Sequence, residues 1–306
     1  MKNQNNYKLG IMCISIGMGT SSLMDATIKS LSDGYPLHEI VMARSIIAVT
    51  LTLLIVRFEG GFSLLKTSKL PLHLIRGALF VIANMTFYLA IAAMPLAEAT
   101  AIFFISPLII TALSVPILGE QVGWRRWLGV LTGFAGVIII IRPGLESFNN
   151  FSLLPIVAAT TYATSQIASR WMGEDEKASV KSFYIMMTFI VVSGLFWLVL
   201  GDGSLEGQYG PELDFLFRPW QWPNQLDAAK MIAVGLLVTI VSYMINQAYT
   251  IANASSVAPF EFVALPLAIL WGYLFWDQLP DRWATLGMVL VAGSSLYVFF
   301  RENRTQ

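Results

Sequence analysis

The apolar run from Ala97 to Leu118 is hard to house in a soluble fold. It is as long as a bilayer is thick: a hydrocarbon core of about 30 Å needs about 20 mostly apolar residues in a helix. Pro107 stands at its middle. A central proline frees a backbone carbonyl, which a membrane helix tolerates where neighbours or a cavity satisfy it. The same run mixes Glu98, Thr100, Ser106, Thr111 and Ser114 with Phe103 and Phe104. A simple anchor has no use for that mixture.

The rest of the chain repeats the theme. Of 306 residues, 56% are apolar and only 12% charged, against about 25% charged in soluble domains. Ten spans can be drawn, at 9–31, 37–56, 72–93, 97–118, 127–142, 152–172, 180–200, 229–252, 256–276 and 283–300. The expected fold is an all-α polytopic membrane protein. Lys2 and Lys8 precede the first run, but that run is long and carries Asp25 and Lys29, so it reads as a retained helix rather than a cleaved signal. Lys and Arg set the orientation. With a cytoplasmic N-terminus, Lys2, Lys8, Arg57, Lys66, Lys69, Arg76, Arg125, Arg126, Arg170, Lys177, Lys181, Arg301 and Arg304 fall inside, and only Arg142, Arg218, Lys230 and Arg282 outside. That bias puts both termini in the cytoplasm, in the cytoplasmic (inner) membrane.

Several function classes drop out. A net charge of zero gives no footprint for nucleic acid. There is no phosphate loop, no HExxH and no GxSxG, so neither an ATP motor nor a familiar hydrolase is expected, and no cofactor or metal is implied. The single cysteine, Cys13, lies in an apolar run and reads as a small core residue. The expected partners are the lipid bilayer and a small-molecule substrate. Gly129, Gly133 and Gly136 suit a close helix contact, within one chain or across a homodimer.

Ionisable groups inside membrane spans are costly and mark function or pairing. Asp25 and Lys29 are one turn apart and share a face. Arg44 enters the second span at a depth similar to Asp25. Asp25 can pair with Arg44 or with Lys29, as a structural ion pair pinning helices together or as a carboxylate coupling transport to protons or substrate. On the third span Asn84 and Tyr88 share a face; on the sixth, Thr160/Thr164 and Tyr162/Gln166 do. The eighth is the most polar, with Thr239, Tyr243, Asn246, Gln247 and Thr250 at helical spacing. The ninth holds Glu261 between Pro259 and Pro266. Such residues either bond neighbouring helices or line a wet cavity. The candidate substrate contacts are Asn84, Tyr88, Thr100, Phe104, Gln166, Tyr243, Asn246, Gln247 and Glu261.

The two halves also echo each other. Glu120-Gln121 recurs as Asp277-Gln278, Ala97-x-x-x-Ala101 as Ala254-x-x-x-Ala258, Arg126-Trp127 as Arg282-Trp283, and Pro107 roughly as Pro266. The repeats run 9–144 and 152–301. An odd number of spans in each forces opposite orientations in the membrane, as in many secondary carriers. Pro95-Leu96-Ala97-Glu98-Ala99, Ser106-Pro107-Leu108, Leu118-Gly119-Glu120, Gly133-Phe134-Ala135-Gly136 and Arg142-Pro143 resemble the drug/metabolite transporter superfamily, in particular its EamA-type bacterial carriers. The resemblance implies a ten-helix secondary carrier for metabolites, with the third, fourth, eighth and ninth helices around a central cavity and Arg44 as a recurrent arginine. The polar lining suits a polar or zwitterionic metabolite, amino-acid-like or, as some members of that superfamily carry, a vitamin- or nucleoside-type compound. A non-transporting scaffold or sensor is the alternative, and an intramembrane enzyme stands behind both.

Overall fold

A computed structural model describes residues 2–119, 123–142, 149–173, 176–252 and 257–302. Glu120, Gln121, Pro143, Ala254 and Arg304, used above, lie outside the described residues. The described chain is helical, without a strand. Its helices are α1 (Lys2–Leu31), α2 (Leu37–Glu59), α3 (Leu70–Ala93), α4 (Leu96–Phe103), α5 (Ser106–Leu118), α6 (Trp124–Ile141), α7 (Leu154–Met172), α8 (Ala178–Leu200), the short α9 (Pro211–Phe217), α10 (Gln225–Ile251), α11 (Ala264–Trp276) and α12 (Arg282–Glu302). Six segments, α1, α2, α3, α4–α5, α8 and α10, are long and apolar enough to cross a membrane.

Two of the expected spans are broken rather than continuous. Between α4 and α5 the chain turns at Phe104–Ile105, where the Ile105 N–H bonds the Ile102 carbonyl three residues back. Pro107 then sits in the first turn of α5. Having no N–H, it cannot bond the carbonyl of Phe103, so the helix restarts instead of continuing. The second half does the same. Residues Ala258–Val263 form a 3-10 turn, and α11 starts at Ala264 with Pro266 in its first turn. Both broken helices end in a left-handed residue, Gly119 (φ 68°) and Asp277 (φ 53°).

The packing is paired. Swapping the first five spans for the last five exchanges α1·α10 with α3·α7, α2·α10 with α3·α8, and α5·α7 with α1·α11, while α2·α8 and α6·α12 map onto themselves. The α6·α12 contact is among the most extensive, and glycine permits it. A Cβ at Gly136 would lie 2.8 Å from the Gly287 carbonyl oxygen, and one at Gly287 2.6 Å from that of Gly136. Gly133 faces Leu108 and Ser294. Gly133 and Gly136 therefore serve close approach within the chain.

Candidate functional site

Between the halves lies a cavity with about 900 Å³ of empty space including its open mouth. Side chains of α1, α2, α3, α4, α7, α8 and α10 line it, and α11 reaches it through Ala264. Its walls are largely aromatic. Phe80 meets Tyr162 edge-on at 5.7 Å, Tyr162 meets Phe103 at 5.3 Å, Phe103 meets Phe87 at 5.2 Å and Phe87 meets Tyr88 at 5.8 Å, giving one continuous band of rings. Helical spacing on α3 accounts for three of its five rings, since residues 80, 84, 87 and 88 form one stripe.

One side of the cavity is charged. Arg44 is 1% exposed and donates to the Tyr88 hydroxyl at 3.1 Å and to the Asn84 carbonyl oxygen. Its guanidinium also lies 5.2 Å from the Tyr88 ring centroid and 5.4 Å from that of Phe189. Such contacts offset the cost of an arginine in a membrane helix, about 2.5–3.5 kcal/mol at its centre. The Tyr88 hydroxyl in turn donates to Asp25 Oδ1 at 3.0 Å. Asp25 and Arg44 are thus linked through Tyr88. Two buried donors here have no protein partner, Arg44 Nε and the Thr100 hydroxyl.

Of the residues singled out in the sequence, Asp25, Arg44, Asn84, Tyr88, Thr100, Phe104 and Asn246 line this cavity, whereas Lys29, Gln166, Tyr243, Gln247 and Glu261 do not. Lys29 does not pair with Asp25. Its ammonium donates to the Met94 carbonyl at 2.7 Å and lies 5.3 Å from the Trp276 ring. Sharing a helix face let the two meet, but Asp25 is held by α3 while Lys29 reaches the α3–α4 turn. Tyr243 points away to Glu59, donating to Oε1 at 2.9 Å. Gln166 is fully buried with both amide atoms unpartnered. Glu261 stands one side chain behind the wall, since Tyr162 lines the cavity and donates to Glu261 Oε1 at 2.9 Å.

Asn246 forms part of the cavity lining, yet its amide is already occupied. Its Oδ1 accepts from Arg76 at 2.9 Å, and its Nδ2 donates to the Ser182 hydroxyl at 3.1 Å and the Ser242 carbonyl at 2.8 Å. Arg76 and Lys181, counted from the sequence among the charges of the cytoplasmic side, are both fully buried. Lys181 donates to the Ser169 and Gly173 carbonyls and to Thr250 Oγ1. The sequence offered a hint: Arg76 falls inside the apolar run 72–93. Ser21, passed over in the sequence, and Ser242, which flanks the polar stripe of the eighth span, also line the cavity. Each is four residues from a residue that was picked, Asp25 and Asn246 respectively.

Residues 8–142 match the model of the EamA-like transporter family. An S-adenosylmethionine uptake transporter of Rickettsia prowazekii is 25% identical over 98% of this chain and 95% of its own length. A riboflavin transporter of Brucella anthropi is 29% identical over 89% and 91%. A pseudopaline exporter of Pseudomonas aeruginosa is 25% identical over 93% of both. One solved crystal structure superposes with a TM-score of 0.68 at 19% identity, covering 96% of this chain and 99% of the other, a likeness of fold.

Proposed function

We propose that the chain is an EamA-type drug/metabolite transporter and that it carries a small metabolite with a planar ring and a polar or zwitterionic group by alternating access. One observation carries this reading: the cavity places an aromatic band beside a bridged Asp25–Tyr88–Arg44 group with unpartnered donors at Arg44 and Thr100. Rings recognise a planar heterocycle by stacking and edge contacts. The unpartnered donors suit a carboxylate or carbonyl, and Asp25 suits a cation. Relatives named for S-adenosylmethionine and riboflavin are compatible with both halves of that description.

The exchange of packing pairs between the two sets of five spans supports inverted repeats over 9–144 and 152–301. Ten spans with both termini in the cytoplasm follow from that arrangement and the Lys/Arg bias. Both broken helices reach the cavity, through Phe104 and Ala264, which supports a site between the halves such as these carriers use for substrate. The direct test is a thermal-shift screen of the purified protein against riboflavin, S-adenosylmethionine and a wider metabolite panel, followed by flux of the hits into proteoliposomes. Saturable flux that depends on the protein is expected. Ligands that stabilise the protein without any flux would make it a sensor.

A further inference from the structure

Glu261 is fully buried on the 3-10 turn that breaks the ninth span. Two hydroxyls converge on one of its oxygens. Tyr162 of α7 donates to Oε1 at 2.9 Å and Tyr249 of α10 at 2.5 Å. The other oxygen, Oε2, is buried and has no partner. The turn packs against α1, α5, α11 and α12. Among the described residues none of these brings a charged side chain into an ion pair with it, and the titratable groups that meet Glu261 are Tyr162 and Tyr249 alone. Asp25 differs on this point, because Arg44 stands behind its tyrosine.

Neither protonation state is fully satisfied in this arrangement. The carboxylate has two donors but no cation in a span where charge is costly. The acid carries its proton on Oε2, where no acceptor waits. A purely structural role, accepting the two hydroxyls, would be met equally well by an amide. The tyrosine arrangement also joins Glu261 to the transport path, because the Tyr162 ring belongs to the cavity band. α7 packs on α3, α4 and α5, whereas α10 packs on α1 and α2, so a shift of one set of helices against the other changes the geometry of the two bonds to Oε1.

We propose that Glu261 is the proton-binding site that couples substrate movement to a proton gradient. This rests on the reading of the chain as a carrier. Glu261 takes a proton on Oε2 from hydronium on one side of the membrane, leaving water, and returns it to water on the other side once the halves have moved. Tyr162 senses substrate through its ring and reports to the carboxyl through its hydroxyl.

The test has two readouts on the full chain. In pH-difference infrared spectra of the protein in lipid, one carboxyl C=O band is expected to vanish in Glu261→Gln and to persist in Asp25→Asn. Tyr249→Phe, which keeps the carboxyl and removes one donor, should move that band to a different frequency. In proteoliposomes with riboflavin and S-adenosylmethionine as probes, a gradient of one pH unit supports about tenfold accumulation at one proton per substrate, and Glu261→Gln should reduce accumulation to none. A band that survives Glu261→Gln, or accumulation that does, overturns the proposal. If neither probe moves in any variant, the assigned substrate class is wrong, and the infrared result still decides whether Glu261 takes up a proton.

Discussion

Replacing Tyr88 by Phe would test whether Asp25 and Arg44 communicate directly or through the tyrosine. The hydroxyl accepts from Arg44 at 3.1 Å and donates to Asp25 at 3.0 Å, and the tyrosine is only 1% exposed. Its removal leaves two buried charged groups each short of one partner. A buried polar group left unsatisfied costs about 1–3 kcal/mol, so the expected loss is roughly 2–4 kcal/mol for the pair. The ring remains, and with it the cation–π contact to Arg44, which keeps the estimate below a full sum. The sharper measurement is a double-mutant cycle with Asp25→Asn and Arg44→Gln, read by denaturant unfolding in bicelles. In the otherwise unaltered chain the two should couple by about 1–2 kcal/mol, and in the Tyr88→Phe background by less than about 0.5 kcal/mol. Equal coupling in both backgrounds would refute the bridge and mean a direct ion pair.

Other perturbations probe the surrounding architecture. Asn246→Ala should destabilise the apo protein by about 2 kcal/mol, because it strips the buried Arg76 of a partner; an unchanged melting profile would show that Arg76 rearranges freely. Gly136→Ala pushes a Cβ against the Gly287 backbone, so a cost of about 1–3 kcal/mol is expected, compared with little at Gly123, which meets nothing within 4 Å. Cysteines placed at the exposed Ser63 and Ser204 in a Cys13→Ser background test the topology. An impermeant maleimide added to whole cells should label the second and miss the first, and the opposite pattern would invert the protein in the membrane.

Periodicity and hydropathy were enough to locate the six segments long and apolar enough to cross a membrane, because a bilayer demands long apolar runs and leaves few alternatives. The breaks before Pro107 and Pro266 were not read from the sequence: both prolines stand in runs drawn as continuous spans, and the helix restarts there because the missing N–H cannot bond back along the chain. Much of the cavity was legible for a local reason: Asn84 and Tyr88 share a face at i, i+4. Partner choice was not. Asp25 and Lys29 share a face equally well, yet Lys29 turns to Met94 and Trp276 while Tyr88 reaches Asp25 from another helix. Tyr243 and Asn246 lie on one polar stripe, but one meets Glu59 and the other Arg76. Arg76 and Lys181 look like surface charges in a linear count of Lys and Arg and are interior groups once α3, α7, α8 and α10 close around them. A helix sets the direction in which a side chain leaves it. Which hydrogen-bonding group stands at the far end depends on how the helices cross, and only the packed bundle decides that.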